Sequence, residues 1–169
     1  MPLSMYQASV PVFLQGLKNL AAILDKAAVQ AVERKIDPGV LLNDRLSPDM
    51  FPLVRQVQIA SDHAKGASAR LAGIDVPKFE DVEKSFDDLQ QRLARVTEFV
   101  KSISPAEIDG SEEREITLPI GGQSMAFTGQ AYLLHFALPN FYFHLTTAYA
   151  ILRHNGVVIG KRDFIGAIS

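Results

Sequence analysis

Residues 130–154 read QAYLLHFALPNFYFHLTTAYAILRH, and this stretch decides the fold. Its apolar residues cover most of the circumference of a helix, which is typical of a helix at the centre of a bundle. Pro139 lies inside the stretch and predicts either a kink or the true beginning of the helix. Asn155-Gly156 follows as a signal for the helix C-terminus. We therefore predict a long, central final helix over residues 130–154.

Three further helices are predicted from apolar residues that recur in steps of three and four. The first spans residues 10–31 and the third spans residues 79–103. The second is predicted to begin at Ser47-Pro48-Asp49, where Ser47 can cap the helix, and to end at Gly73. A sustained alternation of three and four favours nearly antiparallel packing at a crossing angle of about 20°. The pattern therefore predicts a four-helix bundle.

The segment between the third and fourth helices changes character. Residues 114–118 and 124–128 have strand-like composition and flank the turn Pro119-Ile120-Gly121-Gly122, which predicts a β-hairpin. A lone hairpin is marginally stable, so we expect it to lie on the bundle or on another subunit. The predicted fold class is all-α: one domain over residues 1–169, a four-helix bundle with a short β-hairpin inserted before the last long helix. The tail, residues 157–169, is expected to pack back along the bundle.

Composition excludes several classes of protein. The chain has 169 residues, no cysteine, 17 basic and 19 acidic residues, and a net charge of -2. Without cysteine there is no disulfide scaffold, thiolate metal site or cysteine nucleophile. Basic residues do not cluster, so we expect no nucleic-acid partner. No apolar run is long enough to span a membrane, and the first residues do not resemble a signal peptide, so we expect a cytoplasmic protein.

Two histidines are predicted to face the interior of the bundle. At about 100° per residue, His144 lies on the same side of the final helix as its apolar residues. These are Ala137, Phe141, Ala148 and Ile151. Asn140 and Thr147 fall on that side too, whereas His135 points the opposite way. On the second helix, His63 flanks the apolar stripe, so His63 and His144 could meet inside the bundle.

The two histidines have two interpretations. In the first they bind a divalent metal, with Asn140 as a weak third ligand or an orienting partner, because imidazole suits zinc, nickel and iron. In the second both are buried polar residues satisfied by hydrogen bonds to Asn140, Thr147 or the backbone. Catalytic metals usually have three protein ligands. Only two histidines point inward, and that count favours the second interpretation.

Two motifs resemble a known family: PNFYFHLTTAYAILRHNGV over residues 139–157 and GKRDFIG over residues 160–166. They resemble the bacterial domain-of-unknown-function family numbered 1993, in the DinB/YfiT-like superfamily. The resemblance implies a usually dimeric four-helix bundle. It also implies a nickel, zinc or iron site made by one histidine on the second helix and two, spaced by four, on the last. His63 matches the first of these and His144 matches one of the pair, but positions 140 and 148 are Asn and Ala.

Two functions therefore remain open. The first, implied by the resemblance, is a divalent-metal-binding protein related to thiol-dependent transferases. The alternative is a non-catalytic homo-oligomeric bundle that has lost the metal site and acts as a small-ligand-binding or interaction protein. The missing third histidine favours the alternative, and metal content would discriminate between the two. We expect a homodimer in either case, because the final helix and the hairpin offer more apolar surface than one bundle needs.

Overall fold

The computed structural model describes residues 2–167 as four long helices around an apolar core. In chain order the elements are α1 (Met5–Glu33), α2 (Pro38–Leu42), α3 (Leu53–Ala72), α4 (Phe86–Ser102), α5 (Pro105–Ile108), β1 (Glu115–Ile120), β2 (Gln123–Thr128), α6 (Gly129–Tyr132), a π-helical turn (Leu133–Ala137), α7 (Leu138–His154) and α8 (Lys161–Ile165). The long helices α1, α3, α4 and α7 form the bundle, and the hairpin precedes the last of them. The predicted all-α bundle with a hairpin before the last long helix is therefore confirmed.

The first long helix begins at a capping box. The backbone N–H of Gln7 donates to the Ser4 hydroxyl, and the backbone N–H of Ser4 donates to the Gln7 side chain. From there α1 buries one stripe of apolar residues, including Phe13, Leu17 and Leu24. The predicted helix over residues 10–31 lies inside the observed one, which starts earlier because the cap lies before the apolar repeat.

The predicted start of the second long helix at Ser47 is wrong, because α3 begins at Leu53. The Ser47 hydroxyl instead donates to Asp49 within a loop, at 2.6 Å. Pro52 immediately precedes the helix, and a proline disfavours helical geometry in the residue before it, so the helix cannot extend back through Phe51. The predicted end is confirmed: Gly73 closes α3 in the left-handed conformation, with φ of 71°.

The predicted start of the third helix at residue 79 is also wrong. The helix α4 begins at Phe86, and Ser85 and Asp88 form a capping box at its N-terminus. Asp88 therefore has a structural role at the start of this helix. Residues 74–84 form no helix or strand, and Val82, an apolar member of the predicted stripe, is 64% exposed.

A buried arginine holds that non-helical segment in place. Arg92 on α4 is 2% exposed, and its guanidinium donates to both α3 and the segment 74–84. The partners are Ser61 and Asp62 on α3, and Glu80, Asp81 and Glu83 in the segment, at 2.8–3.2 Å. A buried guanidinium requires such partners. This requirement overrides the local helical pattern of residues 79–85.

The final helix is interrupted by the π-helical turn before Pro139, the second residue of α7. The backbone is nevertheless helical without a break from Gly129 to His154, so Pro139 lies inside the predicted final helix and does not mark its beginning. Proline has no N–H for the regular helical hydrogen bond, and the irregular hydrogen bonding of the π-helical turn directly precedes it. The hairpin before it pairs β1 with β2 through a turn at Gly121 and Gly122, with φ of 58° and 81°.

The tail packs against the first helix, as predicted. The side-chain amide of Asn19 on α1 donates to the carbonyl groups of Phe164 and Ile165 in α8, both at 2.9 Å. Ile168 and Ser169 lie outside the described residues. Within residues 2–167, no helix has both the length and the apolar character that crossing a membrane requires.

Candidate metal-binding site

His144 lies on the buried face of α7, as predicted, and is 9% exposed. Its Nδ1 atom is 2.7 Å from Oε1 of Gln56 on α3. The amide nitrogen of Gln56 donates to the carbonyl of Phe51 at 3.0 Å, so its oxygen is the atom that faces the imidazole. Nδ1 therefore carries the proton, and Nε2 keeps a free lone pair. This is the tautomer that a metal ligand needs.

His63 faces His144 from α3. The two ring centroids are 5.9 Å apart, and the ring planes differ by 14°. His63 is partly buried beside the ring of Phe136, with centroids 5.9 Å apart. Among residues 2–167 neither ring nitrogen of His63 has a hydrogen-bond partner. The structure thus brings together the two histidines that the sequence predicted to meet.

Both imidazoles are neutral at pH 7. Burial lowers the pKa of His63 to about 4, helped by His144 and Arg70 and opposed by Asp62. Burial also lowers the pKa of His144, and the nearby Arg55 guanidinium lowers it further. A neutral imidazole is the form that binds metal ions.

Asn140 and Thr147 bond to their own helix. The Asn140 amide donates to the Phe136 carbonyl at 2.7 Å, and the Thr147 hydroxyl donates to the Phe143 carbonyl at 2.7 Å. The expectation that either residue, or the backbone, would satisfy the histidines is therefore wrong, since Gln56 does so for His144. The role of Asn140 as a weak metal ligand stays a prediction.

Arginines flank the pair of histidines. Arg55 forms an ion pair with Asp81 and lies close enough to His144 to influence its pKa. Arg70 is partly buried near His63, and its Nη1 donates to the Tyr132 hydroxyl at 3.2 Å. The Arg55 guanidinium raises the positive potential at His144, which disfavours a cation there, whereas at His63 the Asp62 carboxylate opposes Arg70.

Sequence reasoning missed Gln56, Arg70 and Tyr132. The spacing contains a signal for two of them, because Gln56, His63 and Arg70 are seven residues apart and so share one face of α3. A glutamine in a helical stripe is usually read as a surface residue, but Gln56 is 1% exposed. The signal in the sequence is therefore the seven-residue spacing, which places the Gln56 amide on the same face of α3 as His63.

The two imidazole nitrogens are suitable ligands for a metal ion, although two protein ligands are few. Two neutral imidazoles, one of them oriented by an amide, are suitable ligands for zinc, nickel or iron. Within residues 2–167 no group of three His, Asp or Glu side chains could hold a metal ion together. His63 and His144 would therefore leave most coordination positions to water or to a bound small molecule.

Two surface grooves lie away from the histidines. One, of about 530 Å³, runs between α1, α7 and the tail and is lined by residues such as Gln15, Tyr142 and Phe164. The other, of about 690 Å³, follows the second half of α1 beside Val158. Neither groove includes His63 or His144, so neither adds a ligand to the pair.

Comparison with known proteins agrees with the motifs of the last helix. The model of a family described as "Domain of unknown function (DUF1993)" matches residues 5–165. The crystal structure of a DinB family member protein from Shewanella denitrificans is 45% identical to this chain. The likeness covers 96% of this chain and 92% of that one, with a TM-score of 0.91. None of the curated proteins matches the chain.

Proposed function

We propose that this chain, which belongs to the DUF1993 family, binds a divalent metal ion through His63 and His144. The observation that carries the proposal is the pair of neutral imidazoles, 5.9 Å apart, with Gln56 holding His144 in the tautomer that leaves Nε2 free. Outer groups that orient a ligating histidine in this way typically contribute tenfold to a hundredfold in metal affinity. Nickel, zinc and iron are the candidate ions, because all accept imidazole nitrogen.

Because the protein supplies only two ligands, most coordination positions of the ion would be open. The nearby arginines would lower the affinity of the site for a cation. A metal ion held there would act as a Lewis acid toward a small molecule that completes its coordination. The relation to thiol-dependent transferases rests on the family resemblance, and we propose that a small thiol would occupy the open coordination positions of the ion. The cytoplasmic location stays a prediction.

The proposal is tested by metal content and by titration. Protein purified without a metal-affinity tag would be analysed for nickel, zinc and iron and then titrated with each ion by calorimetry. We expect one ion per chain. Binding should disappear in H63A and H144A and weaken by about tenfold to a hundredfold in Q56L, which removes the oxygen that orients His144.

The control is H135A. His135 also lies on the final helical stretch, but it is exposed, so its removal should leave binding unchanged. Absence of bound metal in the wild type, or equal binding by the wild type and H144A, would contradict the proposal.

A second candidate is a non-catalytic bundle that binds a small molecule or a partner without metal. It is favoured by the two arginines beside the histidines, because a guanidinium attracts an anion rather than a cation. Titration separates the two functions, because this candidate predicts no metal binding by the wild type.

We also propose that the protein is a homodimer that uses its hairpin. Among residues 2–167, strand β2 pairs only with β1. Its residues are mostly exposed, and Met125 is 44% exposed. An unpaired strand edge with apolar side chains favours association with another chain. Light scattering at micromolar concentration should give the mass of a dimer for the wild type and for V158K, which changes a distant exposed residue, and of a monomer for M125K. A monomeric wild type would contradict this proposal.

A further inference from the structure

Arg70 is a partly buried arginine without an acidic partner. It lies in the last turn of α3, and its only hydrogen bond within the described part of the chain runs from Nη1 to the Tyr132 hydroxyl at 3.2 Å. No carboxylate among residues 2–167 lies within ion-pair distance of it, whereas Arg55 and Arg92 both have carboxylate partners. A guanidinium carries five N–H donors in a planar fork, so most of the donors of Arg70 remain free.

Tyr132 adds a second donor at the same place. The residue is 1% exposed, and its hydroxyl oxygen accepts the bond from Arg70. The hydroxyl proton itself has no acceptor among residues 2–167. Burial raises the pKa of Tyr132, so the hydroxyl remains protonated and able to donate. Arg70, which is partly exposed, and the Tyr132 hydroxyl therefore present donors at one place that no acceptor among residues 2–167 takes up, so both are available to an acceptor on a ligand.

Gly66 makes room for the guanidinium. A side chain at this position would place its Cβ 2.5 Å from Nη1 of Arg70, and the three nearest atoms that it would meet outside the helix backbone all belong to the Arg70 guanidinium. The arginine therefore folds back along α3, from position 70 toward His63, instead of extending past the helix end. Glycine in the middle of a helix is unfavourable by about 1 kcal/mol relative to alanine. At position 66 the missing side chain leaves the space that the Arg70 guanidinium occupies.

An aromatic wall lies beside these donors. Tyr132 stacks on Phe136 with ring centroids 5.9 Å apart, and Phe127 packs on both rings at 6.2 Å and 5.7 Å. Phe136 also contacts His63. The free donors of Arg70 and Tyr132 thus border an apolar, aromatic surface that reaches the histidine pair.

We propose that Arg70 and Tyr132 form a binding site for the carboxylate of a small aromatic acid. The planar fork of an arginine matches the two oxygens of a carboxylate, and the tyrosine hydroxyl supplies one further donor. The aromatic wall receives the ring. This site goes beyond the proposed metal function and needs no metal ion, so the two can fail independently.

Benzoate is the probe. Chelator-treated protein would be titrated with sodium benzoate at constant ionic strength and followed by amide chemical shifts. We expect a dissociation constant on the order of 1 mM, the range of a small charge-assisted contact. R70Q and Y132F should each weaken binding about tenfold, because charged and buried hydrogen bonds are lost.

The decisive variant is G66A. It keeps every charge and every donor and improves helix propensity, but its methyl group displaces the Arg70 guanidinium. We expect binding to weaken about tenfold while the unfolding temperature does not fall. R153Q removes an exposed arginine on α7 and should bind like the wild type.

Three results would overturn the proposal. They are the absence of benzoate binding at millimolar concentration, equal binding by the wild type and G66A, and phosphate binding as tightly as benzoate. The last would show that the aromatic wall contributes nothing. If R70Q does not fold, Y132F and G66A still decide the question. Metal binding without benzoate binding would refute this site alone, and the reverse would refute the metal site alone.

Discussion

Lowering the pH should destabilise the protein through His63. The pKa of this residue is about 4 in the folded state, against 6.5 for an ordinary histidine. Below pH 6.5 the unfolded chain therefore binds a proton that the folded chain does not. The free energy of unfolding consequently falls as the pH drops from 6.5 toward 4 and is unaffected by His63 above that range.

The size of the effect follows from the two pKa values. The difference between 6.5 and about 4 corresponds to at most about 3 kcal/mol, reached below pH 4. Between pH 7 and pH 5.5, proton linkage with these values predicts a loss of about 1 kcal/mol from His63. Most carboxylates titrate below this window, so histidines dominate it. His144, whose pKa is also lowered, adds a loss of the same sign.

Urea unfolding at the two pH values measures this loss. The experiment compares the wild type, H63Q and H135Q in the presence of a chelator, so that metal binding does not contribute. H63Q should lose about 1 kcal/mol less than the wild type between the two pH values. H135Q, which changes an exposed histidine, should follow the wild type. If the wild type and H63Q show the same pH dependence, His63 is not held neutral by burial.

Two further changes test the packing. R92M should lower the free energy of unfolding by about 3 kcal/mol and speed tryptic cleavage after Lys78, because it leaves carboxylates without their buried partner. R153M should cost less than about 0.5 kcal/mol, and a cost below about 1 kcal/mol for R92M would contradict the structural role of the network. G16A should cost about 1–3 kcal/mol by thermal denaturation, because its Cβ would lie 2.6 Å from the buried ring of Phe141; unchanged stability would show that the ring moves freely.

Local rules account for most of the fold. Steps of three and four located the four long helices, glycine ended α3 where predicted, and the paired glycines located the hairpin turn. The orientation of His144 also followed from helical geometry, because 100° per residue does not depend on the rest of the fold. These features involve residues only a few positions apart, so the sequence contains their full cause.

The helix starts that were mispredicted have causes elsewhere in the chain or in a competing local rule. Val82 fits the stripe of the third helix, yet Arg92 on α4 binds the segment around it in a non-helical form. Ser47 is a good capping residue, but Pro52 prevents a helix from running through the residues between them. In both cases a constraint imposed by another residue outweighs the helix propensity of the local segment.

Charge balance, the absence of cysteine, the helical periodicity and the inward direction of His144 were determined by the sequence alone. Only the tertiary structure decided that Gln56, rather than Asn140 or Thr147, bonds to His144, and that Arg70 meets Tyr132. The physical reason is distance along the chain. Gln56 and His144 are 88 positions apart. No local sequence pattern indicates which polar group on one helix will form a hydrogen bond with a buried group on another. That choice is made when the helices pack and each buried donor and acceptor must find a partner.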